Sequence, residues 1–130
     1  MTTTSATKSA EILVVEDDIG SRRALTNVLR DRGYHVTAVA DVDGAMDRLR
    51  RRPRPDLIVL DLMMPGQDGW DFRQEQKRNP QLADIPVIAV SAIGKLVDVE
   101  VSLRKPLDYD ELLRAVEHYV GSSKALFKTL

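Results

Sequence analysis

The chain contains no cysteine. Disulfides, thiolate nucleophiles and cysteine-ligated zinc sites are therefore excluded, and the absence suits a reducing, cytoplasmic setting. No apolar run is long enough to span a membrane. Residues 1–10 are rich in Thr and Ser and hold no apolar stretch, so they form no secretion signal and read as a flexible tail. A glycine-rich loop followed by Lys-Ser/Thr, the usual cradle for nucleotide phosphates, is missing too. There is no long run of one charge sign. The nearest approach, Arg48, Arg50, Arg51, Arg52 and Arg54, reads as cations near a helix C-terminus, where the dipole favours them. A net charge of −1 argues against a nucleic-acid-binding surface as the main function.

What is present is ordinary globular material. Hydrophobic residues make up 43% and charged residues 30%, the usage of a folded soluble domain. A length of 130 residues suits one domain, which buries roughly two-thirds of its unfolded surface. Apolar runs alternate with helical patterns. Ile12 to Val15, Tyr34 to Val39, Leu57 to Leu60, Ile85 to Val90 and Val99 to Leu103 read as five strands. The run Ile12-Leu13-Val14-Val15 suits a strand buried on both faces. Between them, Ile19 to Arg32 places Ala24, Leu25, Val28 and Leu29 on one stripe, with Gly33 as the stop. Val42, Ala45, Met46 and Leu49 mark a second amphipathic helix, which Pro53 and Pro55 end. A third runs from Asp68 or Gly69 to Arg78, with a weak stripe of Trp70 and Phe72. Asp108 and Glu111 resemble a capping box opening a last helix with Leu112, Leu113, Val116 and Val120. This alternation implies an α/β fold: a parallel sheet covered by helices on both faces. The domain is expected over residues 11–120, with 121–130 as a C-terminal extension.

Ligands of such sheets bind at the carboxyl ends of the strands, where strand order reverses. The first strand ends in Glu16-Asp17-Asp18, the third in Asp61, the fourth in Ser91 and the fifth in Lys105. Carboxylates gathered there repel one another, and a hard divalent cation such as magnesium would offset this. Lys105 suits a carboxylate or a phosphoryl oxygen, and the Ser91 hydroxyl can donate to the same oxygen. Phosphoryl transfer needs in-line placement and charge neutralisation, and an aspartate can be the acceptor. Asp18 reads more simply as the cap of the first helix. An aspartate-based phosphatase would need a second acid two residues after its nucleophile, and that position is Met63. His35 and His118 lie away from the strand ends, so neither is read as catalytic.

The stretches Ile12 to Asp18, Leu57 to Gly69 and Lys105-Pro106 resemble the receiver domain of bacterial two-component response regulators, over roughly Glu11 to Val120. The resemblance implies a flavodoxin-like five-stranded sheet of order 2-1-3-4-5. It implies that Asp61 is the phosphoacceptor and a metal ligand. Asp17 is then a direct magnesium ligand, and Glu16 acts through water. Met63 offers its backbone carbonyl to the metal, Ser91 and Lys105 contact the phosphoryl group, and a small Ala92 leaves access. It also implies a cis bond between Lys105 and Pro106. The partners it implies are a histidine kinase or phosphotransfer protein and a downstream protein target. It allows a homodimer and involves neither nucleic acid nor membrane. Such a domain is not an enzyme beyond its own phosphorylation and dephosphorylation.

Two departures stand out. The stretch from Ser91 to Lys105 is short by about two helical turns, so a fourth helix there is expected to be shortened or missing. Ser102 stands where the family carries an aromatic switch residue. The expectation is a single-domain, magnesium-dependent phosphoacceptor that signals by protein contact, with a shortened Ser91–Val99 loop as its order–disorder switch. The alternative is a receiver-like interaction module that works without phosphorylation.

Overall fold

The computed structural model describes residues 9–61, 69–91 and 99–129; at Gly69, Trp70 and residues 121–129 the description is of the backbone. Five strands alternate with helices: β1 (Glu11–Val15), α1 (Ile19–Asp31), β2 (His35–Val39), α2 (Val42–Leu49), β3 (Leu57–Asp61), α3 (Gly69–Arg78), β4 (Val87–Ser91), β5 (Val101–Arg104) and α4 (Tyr109–Thr129). All strands pair in parallel in one sheet of order β2-β1-β3-β4-β5. This is the doubly wound, flavodoxin-like arrangement expected from the sequence. Among the described residues, no helix is long and apolar enough to cross a membrane.

The continuous apolar runs are explained by the two cores. In β1, Ile12 and Val14 join α1 and α4 through Leu25, Leu29, Leu112, Val116 and Val120. Leu13 and Val15 face the other way, into Val42, Ala45 and Leu49 of α2 and Phe72 of α3. A central parallel strand must be apolar on both faces because helices cover both. Helix ends follow local chemistry. Asp18 and Asp41 cap α1 and α2 by accepting from the N–H groups of Ser21 and Gly44. Asp108 Oδ1 accepts from Asp110 N–H at 2.9 Å at the start of α4. Gly33, at φ +89°, closes α1: its N–H donates to Arg30 O and that of Tyr34 to Leu29 O, the pattern a left-handed residue permits.

Three expectations change. β4 begins at Val87 and β5 at Val101, each two residues later than the apolar pattern suggests: the Ile85 N–H turns back to Leu82 O at 3.1 Å and Pro86 has no N–H to give, while just ahead of β5 the Glu100 carboxylate takes the Val87 N–H at 2.7 Å. The weak stripe of α3 is completed by polar residues: Arg73 is 4% exposed and Gln76 is fully buried. Gln76 accepts from Arg73 and donates to the carbonyls of Leu82 and Ile85 at 2.8 and 2.9 Å. Arg48 does lie in the last turn of α2, as the sequence reading has it, but it does more than face the dipole. It is buried, 3.6 Å from Glu11, and donates to Thr37 Oγ1 at 3.2 Å, so it stitches α2 to β1 and β2. The β4–β5 connection is residues 92–100, shorter than the dozen or so residues parallel strands usually need. The expected shortened fourth-helix region and Ala92 fall at 92–98, outside the described residues.

Replacing Gln76 with an apolar residue of similar size removes its bonds to two carbonyls and one guanidinium; Leu82 O keeps the Ile85 N–H and Arg73 keeps Glu100, so the Ile85 carbonyl loses most. Gln76→Met is expected to cost about 1–3 kcal/mol for each group left unpaired, read as a lower urea midpoint with little change in slope.

Candidate functional site

The site grows out of strand register. Val15 pairs with Leu60, so the next residues, Glu16 and Asp61, lie level on adjacent strands. Alternation turns both toward the same face. Glu16 is 3% exposed and Asp61 4%. Asp17, exposed at the start of the β1–α1 turn, joins them: Glu16, Asp17 and Asp61 each offer a carboxylate oxygen, all within 4.8 Å of one another. β5 brings the counter-charge. Lys105 N–H donates to Ser91 O at 3.0 Å just beyond the β4–β5 ladder, and its Nζ reaches Asp61 Oδ2 at 3.0 Å. Ser91 ends β4 fully buried, and the Lys105–Pro106 bond is cis.

The electrostatics follow from this crowding. Burial, above all, pushes the Glu16 carboxyl up to about 8, and its hydrogen bond with Asp61 and that group's charge push the same way. The Asp18 N–H, donating to Glu16 Oε2 at 3.0 Å, opposes this. Asp18 itself points away as the α1 cap. The Ser21 backbone N–H and then its hydroxyl hold its carboxyl below the usual range.

Of the residues singled out from the sequence, Glu16, Asp17, Asp61, Ser91 and Lys105 gather at this strand edge. Met63 lies outside the described residues. His35 is exposed near Glu11 at the opposite end of β1, and His118 stacks edge-on against Tyr119. One contributor escaped the sequence reading. Arg22 Nη1 donates to the carbonyls of both Glu16 and Asp17, at 3.0 and 3.2 Å, pinning the turn that carries two of the carboxylates. An arginine in a helix's first turn works against the dipole, and that cost is the signal that could have marked it.

Three clustered carboxylates form an all-oxygen donor set of the kind hard divalent cations use. One lysine, Lys105, faces three carboxylates, so it cannot by itself balance their charge. The donor set therefore fits such an ion. In the metal-free protein, folded Glu16 binds its proton more tightly than unfolded Glu16, which releases it near 4.5. The folded state then carries the extra proton between these values, so stability falls as pH rises from about 4.5 to about 8. Urea midpoints measured across that range without divalent ions should decline. Asp61→Asn, which removes the neighbouring charge, should flatten the decline.

Comparison with known proteins gives a consistent picture. The model of the response regulator receiver domain matches residues 12–117. The phosphate regulon transcriptional regulatory protein PhoB of Escherichia coli K12 is 40% identical over 87 residues, which is 67% of this chain and 38% of PhoB. "Probable transcriptional regulator ycf29" of Cyanophora paradoxa is 32% identical over 114 residues, covering 82% of this chain and 54% of that protein. The chain thus spans about half, or less, of the length of these curated relatives. Among solved structures, the receiver domain of the sensor histidine kinase PA1611 from Pseudomonas aeruginosa PAO1 was determined with a magnesium ion coordinated in its active site cleft. It superposes with a TM-score of 0.79 at 30% identity, covering 88% of this chain and 99% of that one.

Proposed function

The chain belongs to the response regulator receiver domain family, and on that premise we propose that it is a magnesium-dependent phosphoryl acceptor. Asp61 takes the phosphoryl group from a phosphohistidine on a partner kinase or phosphotransfer protein. The signal then passes by protein contact. The observation that carries this reading is the buried Asp61 held between Lys105, 3.0 Å away, and two further carboxylates.

The chain's own residues would divide the work as follows. Asp17 and Asp61 would ligate the ion directly, with the Met63 carbonyl, and Glu16 through water. When bound, the ion neutralises these carboxylates and the phosphoryl oxygens. An Asp61 carboxylate oxygen forms the bond to phosphorus as the phosphorus–nitrogen bond breaks, and the imidazole leaves with that electron pair. Lys105 already points at the acceptor. It holds the carboxylate in place and then pairs with a phosphoryl oxygen, a charge-assisted bond. The Ser91 hydroxyl donates to another. Little covalent work is asked of the protein, and placement and charge do the rest.

Incubation with magnesium and a small-molecule phosphodonor, followed by intact mass, tests this directly. A phosphoryl adduct is expected on the wild type and none on Asp61→Asn. Lys105→Ala is expected to slow adduct formation about 100-fold, the scale of losing one preorganised donor. No adduct on a folded wild type that binds magnesium would move the reading to a receiver-fold interaction module that works without phosphorylation.

A further inference from the structure

β5 poses a register problem. It is a four-residue edge strand, Val101–Arg104, in which Leu103 alone is fully buried. Slipping a strand by one residue turns every side chain to the other face, and so little apolar burial gives weak protection against a slip. Lys105 follows β5 directly, so its reach to Asp61 depends on that register.

The residue just before β5 collects the bonds that hold it. The Glu100 N–H donates to Val87 O at 3.2 Å, and its Oε1 accepts from Val87 N–H at 2.7 Å. Its carbonyl accepts from the Tyr119 hydroxyl at 3.1 Å. The same Oε1 lies 3.6 Å from Nη2 of Arg73, whose side chain is 5% exposed. Arg73 donates to Gln76, which in turn holds the carbonyls of Leu82 and Ile85. A polar chain therefore runs from the α3–β4 connection through α3 to the residue just before β5. The pair is buried on one side only, with the Arg73 side chain 5% and the Glu100 side chain 35% exposed; a partly solvated ion pair adds little net stability, whereas a polar group that fits one pairing alone can select a register.

Building on the phosphoacceptor reading, we propose that Arg73 and Glu100 are positioning residues for phosphoryl transfer: they lock β5 in the register that delivers Lys105 to Asp61. The lock sits at Val87 and Glu100. The ladder then runs from Ile88–Val101 to Ser91–Arg104, continues through Lys105 N–H to Ser91 O, and ends at Nζ on Asp61. A slip of one residue turns Lys105 to the opposite face. Glu16 and Asp17 stand at the end of β1, which β5 does not touch, so the lock acts on the lysine side of the pocket alone.

The test is a double-mutant cycle on the full chain. The rate of Asp61 phosphorylation by a small phosphodonor is measured for Glu100→Gln and Arg73→Met, each alone and combined with Lys105→Ala. Each is expected to slow the reaction about 10- to 100-fold, the scale of a misplaced catalytic group. Neither should slow it further once Lys105 is gone, and magnesium affinity by calorimetry should stay at the wild-type value. Equal losses in both backgrounds, or a parallel loss of magnesium affinity, would mean general support and overturn the proposal. So would a wild-type rate in folded Glu100→Gln. That variant keeps an acceptor for Val87 N–H and carries the test if Arg73→Met does not fold. If the wild type takes no phosphoryl group, the phosphoacceptor reading fails. The lock is then judged from the Lys105 ammonium NMR shift: a change in Glu100→Gln supports it and an unchanged shift overturns it.

Discussion

Like charges held together out of water dominate this molecule. Glu16, Asp17 and Asp61 converge within 4.8 Å, and two of them are almost wholly buried. Such a cluster persists only because the sheet imposes it. β1 and β3 are central strands packed on both faces, and their register places Glu16 level with Asp61. The repulsion is relieved in three ways. Lys105 supplies one positive charge, burial and the neighbouring Asp61 raise the proton affinity of Glu16, and the donor set suits a divalent cation.

The other half of the pocket hangs on a thinner support. Ser91 and Lys105 stand at the ends of β4 and β5, joined through residues 92–100. By alternation Val101 and Leu103 turn toward the α1–α4 core, while Ser102 and Arg104 turn to the other face. β5 is therefore amphipathic, and its second face offers no apolar strip for a packed helix. On that side α3 carries Arg73 and Gln76 in place of apolar residues. Among the described residues no buried side-chain nitrogen or oxygen lacks a partner, which is the condition for a polar seam to be tolerated.

Much of this was legible in the residues. The apolar runs announced strands buried on both faces, and acidic residues at strand ends announced the pocket. Asp18, Asp108 and Gly33 marked helix ends because capping is local: a side chain meets a backbone group two or three residues away. Boundaries were harder. Val99 and Ile85 have strand-like character, yet the ladder waits until Val87 and Val101: the Ile85 N–H is spent on Leu82 O and Pro86 has none to give. Arg48 looked like one more cation in a basic stretch. Its burial depends on Glu11 and Thr37, which lie far off in sequence.

By itself, then, the sequence determined the α/β alternation, the helix caps and the set of chemical groups at the strand ends. Each of these depends on period, composition or neighbours within a few positions. Tertiary structure alone decided which of those groups meet. The alignment of Glu16 with Asp61, the Arg22 bonds to two carbonyls and the Arg73–Glu100 pair all depend on register and packing between distant segments. Local propensity carries no information about such pairings. They are settled by which arrangement buries both faces of the sheet and, among the described residues, leaves no buried side-chain nitrogen or oxygen without a partner.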